Sequence, residues 1–194
     1  MLKKFYEKNK FLKKYLFSPF AVNINPNYVS LVAFLCAIIA GVFFTKQYFI
    51  LGGLFVFLNG YFDVLDGEIA RLHKREDSFG ELIDHFFDRI SDIIILTCFV
   101  FAPFVELHLV FAVIVLMLLA CYLGIEAQAL VKKQNKEGWG RRANRNAIIV
   151  LMCLLMPLYT KSIVIGMHII GIICLITIVE RFYHIYKNLE TQYD

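Results

Sequence analysis

The sequence predicts an all-α integral membrane bundle: six transmembrane helices preceded by an N-terminal amphipathic surface helix. Three observations predict it. The chain is 59% hydrophobic with a mean hydropathy of +0.65, where soluble domains hold about 45–50% apolar residues. Six apolar stretches recur, each close to or above the ~17–25 helical residues that cross a bilayer core. The basic residues are also one-sided. Seventeen Lys and Arg fall at the termini and in alternate loops, against only Lys46 and Lys161 in the opposite loops. That bias orients membrane bundles with their basic loops in the cytoplasm. It fits an even number of spans, with both termini at the cytoplasmic face.

The elements follow in chain order. Residues 1–18 alternate lysines with Phe5, Tyr6, Phe11, Leu12, Tyr15, Leu16 and Phe17 at roughly helical spacing, which suits a helix lying on the membrane. A solvated basic arm is the plainer alternative, and the aromatics argue against it. Met1–Lys14 holds six lysines and no apolar run long enough for a cleavable signal peptide. Asn25-Pro26-Asn27 breaks the chain, and Ser30 is a candidate start for the next helix. Spans are expected near 28–45, 48–73, 79–103, 107–131, 143–159 and 162–185. They are helical because an open strand cannot satisfy its backbone in lipid. With no internal repeat or low-complexity tract, residues 1–194 read as one membrane domain, with the six-helix bundle over 28–185. Cys36, Cys98, Cys121, Cys153 and Cys174 each lie within apolar stretches and read as small core hydrophobes. No nucleic-acid partner is expected.

Against this lipid-suited background stand four aspartates. Asp63 and Asp66 are i,i+3 at the end of the second span, and Asp84 and Asp88 are i,i+4 at the start of the third. Each pair shares a helix face. A charged side chain at membrane depth costs at least ~2.5–3.5 kcal/mol, so four at helical spacing imply a positive charge to hold. A short turn would bring the pairs face to face near the cytoplasmic surface. Hard oxygen ligands in that number suit Mg²⁺ or Mn²⁺, as one ion or two. Gly67 and Ala70 lie on the same side as Asp63, where bulk would block a ligand. Gly80 lets a ligand approach the backbone, and Arg71 could fork onto a phosphate. Carboxylates, metal, small residues and an arginine together suit pyrophosphate chemistry, with one carboxylate taking a proton from an attacking hydroxyl.

These residues carry a resemblance. Asp63-Val-Leu-Asp66-Gly67-Glu-Ile-Ala70-Arg71, then eight residues, then Gly80-Glu-Leu-Ile-Asp84-His-Phe-Phe-Asp88 resembles the signature of the CDP-alcohol phosphotransferase family at all eight of its positions. The resemblance implies transfer of a substituted phosphate from a CDP-activated alcohol to an acceptor hydroxyl, releasing CMP. It implies two divalent ions on Asp63, Asp66, Asp84 and Asp88, with Asp88 as general base. Gly67 and Arg71 would hold the CDP moiety, with Ala70 and Gly80 beside it. Pro26-Asn27-Tyr28-Val29 resembles a family segment that touches the nucleotide. Some relatives use a turn serine on the donor, where this chain has Asp77 with Ser78 adjacent. The resemblance also implies a homodimer.

The acceptor is less legible. Phosphate-acceptor relatives often carry arginines late in span four, whereas this chain has Tyr122-Leu-Gly-Ile-Glu126-Ala-Gln128. Arg141, Arg142 and Arg145 could supply a phosphate site from the next loop, or simply touch anionic lipid headgroups. Gly80-Glu-Leu-Ile-Asp84-His85 is similar to choline and ethanolamine phosphotransferases, which take a CDP-amino-alcohol donor. Glu126 could then attract an ammonium, or could face solvent at a helix end. The leading expectation is a CDP-diacylglycerol-type lipid donor; headgroup transfer from CDP-ethanolamine or CDP-choline is the alternative. His85, at i+1 from Asp84, points off the carboxylate face, and Arg89 and Asp92 read as buried polar support. A cation or proton transporter is the rival from another class. It fits poorly, because transport sites lie near the midplane between repeats.

Overall fold

A computed structural model describes residues 25–72, 78–131 and 141–193. The expected surface helix at 1–18 and Asp77 lie outside them. The described residues form six helices: α1 (Pro26–Thr45), α2 (Phe49–Leu72), α3 (Ser78–Cys98), α4 (Leu107–Val131), α5 (Arg142–Leu155) and α6 (Ser162–Tyr193). A single 3-10 turn, Phe99–Phe101, extends α3. The described residues contain no strand.

Asn25, not Ser30, opens the bundle. Its side chain accepts a hydrogen bond from the Asn27 amide at 3.1 Å, and Pro26 takes the first helical position. Proline is favoured there because that amide has no helical partner. Ser30 falls one turn inside α1 and is free for another role. The α1–α2 turn is a Schellman closure. The Tyr48 amide donates to the Phe43 carbonyl and the Gln47 amide to the Phe44 carbonyl, both at 2.9 Å. Gln47 takes a positive φ of 62°, and the Phe43 and Tyr48 rings meet edge-on at 6.4 Å. A contact of that kind commonly accompanies the motif.

Contacts fix the directions of the helices. Phe44–Phe49, Ala33–Asn59 and Ser30–Asp66 run in opposite senses, so α1 and α2 are antiparallel. Phe34 stacks on Phe87, and Gly41 lies against Ile94 and Cys98, so α3 runs parallel to α1. Gly60 faces Asn146 and Gly53 faces Cys153, which places α5 antiparallel to α2. Small side chains allow this. The buried face of α1 includes Ser30, Ala33, Ala37, Ala40 and Gly41, the type of stripe that lets membrane helices approach closely. Phe44 lies between Phe49 and Phe99, with ring centroids 6.2 and 4.6 Å away, in a core shared with Met117, Met152, Met167 and Ile170.

Among the described residues, four helices are long and apolar enough to cross a membrane: 26–45, 49–71, 107–130 and 162–190. The other two expected spans fall short for different reasons. α5 has 14 residues, about 21 Å at 1.5 Å per residue, below the ~30 Å hydrocarbon core. α3 has the length, but carries Asp84, Asp88, Arg89 and Asp92. The outer surface is apolar, with Phe57, Phe111, Leu158 and Ile172 all more than half exposed.

Candidate active site

One end of the bundle collects the polar residues. The antiparallel order brings the last turns of α2, the first turns of α3 and α5, and the start of α1 to the same end. A narrow cleft there is lined by Ser30, Asn59, Asp63, Asp66, Asp84, Asp88, Ser91 and Arg142. Asp63, Asp84 and Asp88 each offer a carboxylate oxygen, and these oxygens lie within 4.8 Å of one another. Three convergent hard oxygens fit a divalent cation of the Mg²⁺ or Mn²⁺ type.

Asp66 lines the same cleft but stands apart from that trio. It is buried, and the Ser30 hydroxyl donates to its Oδ2 at 2.6 Å. The two expected pairs therefore meet as three carboxylates plus one held from α1. Residues of the Pro26–Val29 segment sit at the same end: Val29 packs on Leu65 and Ile69, while Tyr28 is exposed.

Arg142 sits among the carboxylates. Its Nη1 donates to Asp63 Oδ1 at 2.5 Å and also to Asp88 Oδ1. Its Nε reaches Asp92 Oδ1 at 3.3 Å, and Nη2 reaches Asn59 Oδ1 at 3.1 Å. Asn59 is fully buried and anchored by its own bond to the Ala33 carbonyl at 2.8 Å. Arg145 Nη2 donates to Asp92 Oδ2, with Arg89 Nη1 at 3.7 Å from the same oxygen. Asp92 is therefore the buried polar support that its place in the α3 stripe suggests. Arg141 is the N-cap residue of α5, and its side chain makes no capping hydrogen bond.

The face of α2 around Gly67 is open, unlike those around Gly52, Gly53 and Gly60. Among the described residues, a Cβ on Gly67 would meet only Arg71 Nη2, at 3.8 Å, which is ordinary contact. Arg71 is half exposed and pairs with the buried Glu68 at 2.8 Å. Ala70 and Gly80 are part-buried, and Ser78 begins α3. Glu126 accepts a hydrogen bond from Tyr122 at 2.6 Å near the end of α4 and does not line the cleft. His85 is exposed, off the carboxylate face.

Four more polar residues lie in or near this end without a site role legible in the sequence. Ser30, Asn59 and Ser91 are small polar residues inside apolar helices. Ser91 continues the Asp88 stripe at i+3, and its buried Oγ has no hydrogen-bond partner among the described residues. Arg181 lies deep in α6, where Gly124 leaves room for it: a Cβ at Gly124 would lie 2.5 Å from Arg181 Nη1. That Nη1 donates to the Ala120 carbonyl, while the buried Nε has no partner among the described residues. An arginine inside an apolar run was the available signal.

The sequence model of the CDP-alcohol phosphatidyltransferase family matches residues 23–179. The chain belongs to that family. Its chemistry is therefore transfer of a substituted phosphate from a CDP-activated alcohol to a hydroxyl, with CMP released. As a CDP-alcohol phosphatidyltransferase with four membrane-length helices, it is an integral membrane protein. The chain is 27% identical to an archaetidylinositol phosphate synthase of Pyrococcus horikoshii over 170 residues, 88% of each chain. It is equally 27% identical to the enzyme of that name from Methanothermobacter thermautotrophicus over 168 residues, 84% of each. Its fold matches Mycobacterium tuberculosis phosphatidylinositol phosphate synthase. The manganese and citrate complex of that enzyme aligns with a TM-score of 0.76 at 21% identity, over 87% of this chain and 88% of that one. The form with CDP-DAG bound aligns at 0.74 and 20% identity, over 84% and 87%.

Proposed function

We propose that this phosphatidyltransferase takes a CDP-linked lipid as donor and a phosphorylated polyol of the inositol phosphate class as acceptor. The observation that carries the donor site is the convergence of Asp63, Asp84 and Asp88 beside the open Gly67–Ala70–Arg71 face. In this reading those three aspartates, with Asp66, hold one or two divalent ions, Mg²⁺ or Mn²⁺. When bound, the ions supply positive charge to the donor diphosphate. Gly67, Ala70 and Gly80 leave room for the donor, Arg71 takes a phosphate oxygen, and Pro26–Val29 with Asp77 and Ser78 flank the nucleotide. Asp88 removes the proton from the acceptor hydroxyl, which attacks the phosphorus nearest the lipid, and CMP departs.

The acceptor class rests on the two archaetidylinositol phosphate synthases and on the arginines behind the carboxylates. Arg145, Arg181 and Arg89 sit together on α5, α6 and α3, and a phosphorylated acceptor needs such cations. Six membrane-embedded helices, a surface helix at 1–18, one domain over 1–194, a homodimer and a cytoplasmic active site complete the proposal. The basic-loop bias supports the orientation.

The test is CMP release by purified protein in detergent. CDP-diacylglycerol and its ether-lipid counterpart are offered with inositol phosphate, inositol, glycerol phosphate and serine. CMP should form with inositol phosphate and require Mg²⁺ or Mn²⁺. Equal release with unphosphorylated inositol would overturn the acceptor class. Release from CDP-ethanolamine or CDP-choline with diacylglycerol, and from no CDP-lipid, would reverse the direction of transfer.

A further inference from the structure

Arg142 and the proposed ion lay claim to the same two carboxylates, Asp63 and Asp88. Arg142 Nη1 bonds Oδ1 of Asp63 and Oδ1 of Asp88, and these residues are two of the three whose oxygens gather within 4.8 Å. A Mg²⁺-like ion coordinates carboxylate oxygen at about 2.0–2.1 Å. A single guanidinium nitrogen bonded to both aspartates stands between the carboxylates that would share a dication, and two cations at that separation repel, so the two compete for the pair.

The guanidinium is also held from behind. Nε bonds Asp92 Oδ1 at 3.3 Å and Nη2 bonds Asn59 Oδ1 at 3.1 Å. Neither Asp92 nor Asn59 belongs to the carboxylate trio. Asn59 is fixed to the Ala33 carbonyl at 2.8 Å, and Asp92 to Arg145. Two anchors therefore remain when Nη1 lets go, so the side chain has a defined place beside the site.

We propose that Arg142 is a tethered counter-cation of the Asp63–Asp88 pair that exchanges with the divalent ion. The inference rests on the metal-dependent reading of this site. In the metal-free protein, Arg142 neutralises Asp63 and Asp88 and ties α5 to α2 and α3. On loading, the Nη1 bonds to those aspartates give way to metal–oxygen bonds, while Nε and Nη2 keep Asp92 and Asn59. Metal affinity is then set by competition with a residue of the chain itself.

The test uses the full chain in detergent, stripped with EDTA and titrated with Mn²⁺, following free Mn²⁺ by electron paramagnetic resonance. Thermal unfolding is recorded with and without the ion. Arg142→Gln should bind Mn²⁺ about ten-fold tighter or better, since its competitor is gone. Its metal-free Tm should fall, and Mn²⁺ should raise that Tm by more than it raises the wild type's. Arg142→Lys keeps the charge that supports the metal-free fold but loses the anchored fork, and should fall between the two. If Arg142→Gln does not survive stripping, tighter binding by Arg142→Lys carries the result. Mn²⁺ affinity that is unchanged or weaker in the variants overturns the exchange alone. Failure of wild type and variants alike to bind Mn²⁺ overturns the metal-dependent reading, and the exchange with it.

Discussion

Asp88 and Ser30 show how differently two polar residues in one cleft can matter. Asp88 lies 19% exposed against Arg142 and within reach of Asp63 and Asp84, where a substrate hydroxyl could approach. Asp88→Asn should slow CMP release by about 10²–10⁴-fold, the usual worth of a general base. Turnover near the wild-type rate would remove Asp88 from that role. Ser30 acts through another residue: it supplies the 2.6 Å bond that orients buried Asp66. Ser30→Ala leaves a buried acceptor short of a donor, a cost of about 1–3 kcal/mol. It should lower the thermal unfolding temperature in detergent measurably. An unchanged midpoint would mean Asp66 is held by something else. At this scale the sequence was eloquent about the aspartates, because their spacing declares a shared face. It was silent about Ser30, whose partner lies 36 residues away.

Helices meet here through glycines of two kinds. On Gly53, a Cβ would lie 2.8 Å from the Cβ of Cys153. That atom is fixed to the α5 backbone, so no rotamer change relieves the clash. Gly53→Ala should push α2 from α5 and destabilise by about 1–3 kcal/mol, read as a lower unfolding midpoint. Gly67 is the opposite case, with its nearest neighbour the flexible end of Arg71 at 3.8 Å. Gly67→Ala should therefore keep the wild-type midpoint and still lower CMP release. If it unfolds early instead, Gly67 is a packing residue and not a donor-site residue. Both are plain glycines in the α2 sequence; only the neighbouring helix separates them. The same holds for α5. Its Arg142 and Arg145 read in the sequence as a phosphate site or as charges against lipid headgroups, and the packing of α5 on α2 turns both inward onto aspartates of α2 and α3.

Across the whole bundle, the apolar surface and the one-sided basic loops describe a protein embedded in lipid with its polar cleft at one end. Chelation by EDTA should abolish CMP release, and Mg²⁺ or Mn²⁺ should restore it. Persistent activity after exhaustive stripping would exclude ion-assisted transfer. The proposed orientation has its own consequence: a protease-cleavable tag at either terminus should be cut in inverted vesicles and protected in right-side-out ones. Protection of one terminus only would mean an odd number of spans. Such a result would fall on α5 first, because its 14 residues are the shortest expected crossing.

The sequence by itself determined the helical class, the approximate limits of the six helices, and the family with its transfer reaction. These depend on periodicity, on hydropathy, and on residues close together in the chain. Tertiary structure alone decided which carboxylates converge, that Asp66 is held by Ser30, and that Arg142 stands among the acids. It also set Arg181 against Gly124. Each of those pairs residues on different helices, joined by packing between small side chains, and no local pattern along the chain records which faces will meet.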